Sequence, residues 1–372
     1  MVRLIICNSL PTSRIFGEKF DAWWYARQGV KVEFWDLAAV FLEQKAIDAF
    51  YAGAPDYRYE GPGHRSFGDF DELQEALRSR TEWMFWHVSR FERMLDDDRL
   101  IRIFNQSGVR YFFQHFDPPA ENPTSPLRRV SSALKAKWHR RDCHPVAVVT
   151  SGTVGRSHVK SRYPRAKVIS IPSVKVLWTE PSASALNERP YVLFVDESLA
   201  YDPDAKMSGL TLCDDVSGYY RRMRELFSRV EDSLGCEVRI GCSGKYLYPD
   251  PDSFFGPRQV IYGQTLQLLQ RCKLAMGHVS LALDQAIASK RPVLLLDDPA
   301  FTPYRRRGFR DVIARFRLQP VVNKAVDGHA LRLAMQRDLG FYADVEHDWL
   351  RERDVTGDAR ALCLAAFEQL SR

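Results

Sequence analysis

His278, Val279 and Ser280 stand where an apolar run, Leu274–Gly277, gives way to a segment of helical period opening at Leu281. A strand that ends in a polar turn and leads into a helix presents unpaired backbone N–H groups. With an imidazole and a hydroxyl beside them, these make a compact seat for phosphate or carboxylate. The same spacing suits Ser280 as a helix cap with His278 packed in the loop, and the residues alone leave both readings open. A second segment, Gly241-Cys242-Ser243-Gly244-Lys245, brings small residues and a lysine to the end of another strand. Small residues let backbone approach a ligand closely, and Lys245 can meet an anion. The spacing is not that of a P-loop, and a plain turn explains it equally. At Gln264-Thr265 a third strand gives way to a helix, with Thr265 as cap or the pair as a base or ribose contact.

Taking a proton from a hydroxyl requires a positioned carboxylate or histidine, and a covalent route requires a carboxylate nucleophile. Asp36, His87, His115, Asp117, Asp196 and Glu197 all fall at or just beyond the ends of predicted strands. Each also suits a cap or loop hydrogen bond. Asp96-Asp97-Asp98 lies inside a helical pattern, so it reads as a solvated face and no metal is expected. The seven cysteines are scattered with no CxxC pair, which implies reduced cytosolic thiols without a disulfide framework or a zinc site.

The elements that would position these groups alternate in βα fashion. In the first half, strands are predicted at Arg3–Asn8, Lys31–Asp36, Met84–Val88, Arg110–His115, Ala147–Ser151 and Lys167–Pro172, with helices at Phe70–Arg80 and Phe91–Gln106. Trp178–Pro190 is small, polar and twice interrupted by proline, as a linker would be. A second alternation follows, with strands at Tyr191–Asp196, Glu237–Cys242, Gln259–Tyr262, Leu274–Gly277, Val293–Leu296 and Pro320–Val322. Its helices are predicted at Gly218–Leu234, Thr265–Arg271, Ser280–Ser289, Gly328–Arg337 and Asp358–Leu370. A chain of 372 residues exceeds the usual size of a single core. The fold class is therefore α/β: two Rossmann-like parallel-sheet domains, 1–178 and 191–372, joined by a linker at 179–190 and facing a ligand cleft. The last helix is expected to pack back on the first domain.

Hydrophobic residues make up 45% and charged residues 27%, and no apolar run reaches membrane-spanning length. Export is not expected, and the protein reads as cytoplasmic. The net charge of +6 is compatible with anionic substrates or a membrane surface. Leu127–Arg141 carries six Lys/Arg and no acid, with Leu127, Val130, Leu134 and Trp138 on one helical face. That pattern suits peripheral docking on anionic lipid at the inner face of a membrane, or an apolar stripe packed on the protein's own sheet. Tyr304–Arg310 is a second basic cluster, for phosphate or membrane. No nucleic-acid module or interleaved stacking aromatics accompany either cluster.

The stretch from Tyr191-Val192-Leu193-Phe194-Val195-Asp196-Glu197 through Leu296 resembles the donor domain of GT-B glycosyltransferases, specifically bacterial surface-polysaccharide enzymes related to sialyltransferases and Kdo transferases. Val32-Glu33-Phe34-Trp35-Asp36-Leu37 carries the likeness into the first half. The resemblance implies a GT-B fold, a serine-bearing phosphate turn at His278-Val279-Ser280 and a donor turn at Cys242-Ser243; Gly241, Lys245, Gln264 and Thr265 are donor-binding candidates by their own positions at strand ends. Asp36, His87, Asp117, Asp196 and Glu197 are the catalytic candidates by their place at strand ends, and the resemblance adds weight to Asp36 and to the Asp196-Glu197 pair. The family's His-Pro pair is replaced by Cys242-Ser243. Metal-independent transfer follows, from a nucleotide sugar, CMP-linked by the resemblance, to a bacterial surface glycan or lipid-linked glycan, without a cofactor. A nucleotide-sugar epimerase and a catalytically weakened GT-B-like binding or scaffold protein are the alternatives.

Overall fold

The computed structural model describes residues 2–14, 17, 20–54, 58–88, 98–115, 144–173 and 189–371. Asp117, the basic stretch 127–141, Asp96-Asp97 and residues 179–188 of the expected linker lie outside the described residues. The described chain forms two sheets in which every strand pairing is parallel.

The first sheet contains β1 (Arg3–Asn8), β2 (Lys31–Asp36), β3 (Arg65–Ser66), β4 (Met84–His87), β5 (Arg110–His115), β6 (Ala147–Thr150) and β7 (Lys167–Ser170), in the order β3-β2-β1-β4-β5-β6-β7. β4 is buried at all four residues, the signature of a strand covered on both faces. Phe85 points into a core with Ile5, Trp35, Leu77 and Phe104. Its neighbour Trp86 points the other way, with ring centroids 6.2 Å from Tyr25 and 5.5 Å from Phe367. Phe367 belongs to the closing helix Ala359–Ser371 and also lies 4.5 Å from Phe112. That aromatic contact places the helix on this sheet.

The second sheet contains β8 (Val192–Asp196), β9 (Val238–Cys242), β10 (Val260–Tyr262), β11 (Leu274–Gly277), β12 (Val293–Asp297) and β13 (Val321–Val322), in the order β10-β9-β8-β11-β12-β13. Its longest helix, Val216–Leu234, starts where Asp215 accepts the Gly218 N–H at 2.9 Å. Tyr219, Met223, Leu226, Phe227 and Val230 give that helix a buried stripe of helical period, and Gly235, at φ 62°, ends it in the left-handed conformation glycine tolerates.

Two compact units result. One comprises Met1–Ile47, Arg58–Val174 and His347–Arg372, the other Asp48–Tyr57 and Lys175–Glu346. The chain thus crosses between units more than once. Close backbone approach holds His347–Arg372 in the first unit. Gly152, at φ 64°, sits so near residues 348–349 that an added Cβ would lie 2.4 Å from the Asp348 carbonyl oxygen. Ser151 Oγ donates to the Trp349 carbonyl at 3.1 Å, and Arg156 pairs with Glu352 at 2.7 Å. Among the described residues no helix is long and apolar enough to cross a membrane.

Candidate functional site

In an open parallel sheet, the crevice for a ligand forms where the strand order reverses, at the carboxyl ends of the two central strands. In the second unit those strands are β8 and β11. β8 delivers Asp196, Glu197 and Ser198, and β11 delivers His278, Val279 and Ser280. Glu197 bridges the two ends: its Oε1 accepts the Val279 N–H, and its Oε2 pairs with Arg305. The Glu197 and Arg305 side chains are only 10% and 13% exposed. Arg305 arrives on the helix Pro303–Phe316, which follows β12 and begins with Thr302 as cap and Pro303 in its first turn. A helix here was not predicted; the basic side chains of Tyr304–Arg310 obscured its modest apolar face. Ser198 adopts φ 51°, a left-handed conformation uncommon for serine and a feature that clusters at functional sites.

Asp196 lies beneath this crevice. Its Oδ2 accepts the Ser198 N–H at 3.0 Å and the Tyr248 hydroxyl at 2.9 Å, and Cys242 Sγ lies 3.6 Å away. Tyr248 is joined in turn to Tyr220, hydroxyl to hydroxyl at 2.9 Å. Asp196 Oδ1 is buried and has no hydrogen-bond partner among the described residues. Burial is the dominant influence and lifts the carboxyl to about 6, against the opposing hydrogen bonds. Burial, followed by the Asp196 charge, also pushes the Tyr248 hydroxyl well up.

The other residues expected to hold a donor divide by their surroundings. His278 is 1% exposed, and both ring nitrogens are engaged, Nε2 with the Tyr219 hydroxyl at 3.0 Å and Nδ1 with the Leu296 carbonyl at 2.6 Å. In this arrangement the imidazole braces the turn. Burial lowers its pKa, consistent with a neutral ring whose Nδ1–H donates to Leu296. Ser280 is half-buried and its Oγ accepts the Ala282 N–H at 3.2 Å, so it forms the turn at the crevice. Lys245 is committed to Asp204 at 2.7 Å and lies over the Phe50 ring. Cys242 is fully buried against Asp196, and Ser243 Oγ accepts the Lys245 N–H at 3.3 Å. Gly241 packs against Leu193 and Thr265, and Thr265 Oγ1 donates to the Cys242 carbonyl at 3.3 Å instead of capping its helix. Gln264 is exposed, beside Arg239, Gln267 and Arg271 in a surface hollow at β10. The expected donor residues thus do not converge on one point; Glu197, Val279 and Arg305 do, with Ser280 next along the turn.

In the first unit the strand order reverses between β1 and β4. Ser9 and His87 meet there, Oγ to Nε2 at 2.5 Å, both with essentially no exposure. Burial lowers the His87 pKa to about 3, so the ring is neutral and sealed from an acceptor. Asp36 ends β2, beside Asn8 of β1. It is half-buried, its Oδ1 accepts the Ala38 N–H at 2.9 Å, and burial chiefly raises its pKa. Sequence reasoning missed Ser9 and Tyr248, and gave Arg305 only as part of the Tyr304–Arg310 basic cluster. A serine directly after the polar end of β1 and an arginine in the first turn of a proline-opened helix were the available signals.

No family model matches the sequence, and no curated protein matches it. Solved structures match over the whole length. The glycosyltransferase SnogD of Streptomyces nogalater aligns with a TM-score of 0.55 at 14% identity, covering 100% of this chain and 99% of that one. UDP-GlcNAc 2-epimerase from Methanocaldococcus jannaschii aligns at 0.52 and 10% identity, over 99% and 100%. S. aureus MnaA, solved with UDP, aligns at 0.54 and 8%, over 100% and 97%. The chain has the GT-B fold, with two parallel-sheet α/β domains.

Proposed function

We propose that the chain is a nucleotide-sugar enzyme, a glycosyltransferase that moves a sugar from a nucleotide-activated donor to a glycan acceptor, with the donor phosphate received at the β8/β11 crevice. One observation carries this reading: the Arg305 guanidinium and the Val279 N–H, from different elements, converge on a single anionic group at the topological switch of the second sheet. A guanidinium and a backbone N–H in a largely buried setting stabilise the charge that develops on a departing phosphate. Asp36 is the residue we assign to the acceptor's proton, since it ends β2 and is partly exposed. Asp117 is a second candidate for that role.

The family resemblance favours a CMP-linked donor and a bacterial surface glycan as acceptor, while the nucleotide in the names of two structural neighbours is UDP. The epimerase neighbour supports a second reading, in which the same crevice holds UDP while the sugar is altered without an acceptor. Incubation with CMP-linked and UDP-linked sugars, with and without a glycan, separates the two. Transfer predicts acceptor-dependent release of free nucleotide; epimerisation predicts a changed sugar in the acceptor-free reaction. Absence of turnover, binding or hydrolysis with every donor would favour a scaffold protein.

A further inference from the structure

Glu197 holds a position in the crevice that its burial alone does not require. Three elements meet there: the end of β8 supplies the carboxylate, the turn after β11 supplies the Val279 N–H, and the helix after β12 supplies Arg305. Each carboxylate oxygen takes one donor, as two oxygens of a phosphate would. Arg306 lies in the same helical turn, 3.2 Å from Asp297, and Arg307 follows it, exposed. Ser280, at the mouth of the turn, is half-buried.

We propose that Glu197 is the protein's own occupant of a phosphate seat, and that a phosphate-bearing ligand binds by displacing its carboxylate from the Val279 N–H and the Arg305 guanidinium. This rests on the reading of the crevice as a nucleotide-sugar site and adds how the site is kept in the absence of ligand. A single carboxylate neutralises one guanidinium. A di- or triply charged phosphate group satisfies the same two donors and brings more charge to the guanidinium than one carboxylate does. The displaced carboxylate turns toward the solvent side, where it is already slightly exposed. With Glu197 in place, the buried Arg305 is never left without a counter-charge.

The test uses the full chain and four variants, Glu197→Gln, Glu197→Asp, Arg305→Gln and the Glu197→Gln/Arg305→Gln double, titrated calorimetrically with inorganic pyrophosphate, UDP, CMP and uridine. Glu197→Gln should bind pyrophosphate and the nucleotides roughly tenfold tighter than the parent, because the competing charge is gone, with uridine unchanged. Arg305→Gln should lose at least about tenfold for the phosphate-bearing probes, and the double variant should behave like Arg305→Gln. Circular dichroism checks folding. If Glu197→Gln leaves the buried Arg305 charge too poorly compensated to fold, Glu197→Asp retains the counter-charge on a shorter arm and should still tighten phosphate binding. Equal affinity in parent and Glu197 variants, or weakening by Glu197→Gln and Glu197→Asp as by Arg305→Gln, overturns the proposal. Pyrophosphate binding that follows the expected order without nucleotide binding leaves the seat standing and removes the nucleotide reading. UDP or CMP binding indifferent to residues 197 and 305 does the reverse, and no binding of any probe to any folded form refutes both.

Discussion

Ser9 Oγ and His87 Nε2 lie 2.5 Å apart at the carboxyl ends of β1 and β4, sealed inside the first sheet's switch point. A histidine held neutral by burial, with its pKa lowered to about 3, binds its proton less tightly folded than unfolded. Between the unfolded value near 6.5 and about 3, the unfolded chain therefore holds the extra proton, and stability falls with acidification through that window. The slope from this residue approaches about 1.4 kcal/mol per pH unit. Denaturant melts of the parent and of His87→Gln at pH 7 and pH 4.5 should show a larger acid loss in the parent; parallel losses would mean the imidazole is not buried neutral.

Asp196 carries the opposite sign. Its folded pKa of about 6 exceeds the ordinary carboxyl value, so the folded state holds the proton more tightly. The stabilisation is complete below about pH 4 and is lost as pH rises through 6, amounting to about 3 kcal/mol in full. Asp196→Asn cannot ionise. The variant should gain stability relative to the parent between pH 4.5 and pH 7.5, read as a growing difference in melting temperature. A constant difference would place the carboxyl in a solvated setting.

At Gly152 the constraint is steric and conformational together. Gly152→Ala would force a Cβ against the Asp348 carbonyl at a φ of 64° that alanine disfavours. The expected loss is about 2 kcal/mol or more, since backbone cannot move aside as a flexible side chain can. Gly209, at φ 62° with open space around it, is the control. Gly209→Ala should cost about 1 kcal/mol, from conformation alone. Equal losses in thermal melts would remove the close approach as the cause.

Much of the architecture was legible in the sequence because parallel strands buried on both faces read as continuous aliphatic and aromatic runs. Leu4-Ile5-Ile6, Leu193-Phe194-Val195 and Leu294-Leu295-Leu296 are such runs, and each lies in a strand paired on both sides. β3, only Arg65–Ser66, has no apolar pattern to find. The packing of the last helix against the first unit was expected, but the close backbone approach at Gly152 that accompanies it has no local sequence pattern. Site residues were legible by position but not by role. His278 and Ser280 were correctly located at a strand end, yet which of them faces outward depends on Tyr219 and Leu296, 59 and 18 residues from His278. Arg305 was visible only as one of several basic residues, because its partner Glu197 is remote in sequence.

Whether the crevice between the ends of β8 and β11 receives a nucleotide phosphate is decided by equilibrium titration of the full chain with UDP, CMP and GDP, repeated with Arg305→Gln. Saturable binding of at least one of UDP and CMP is expected, weakened about tenfold or more by the substitution. Nucleotide binding of undiminished affinity in folded Arg305→Gln, or no binding by the parent chain, would contradict a phosphate seat at Arg305.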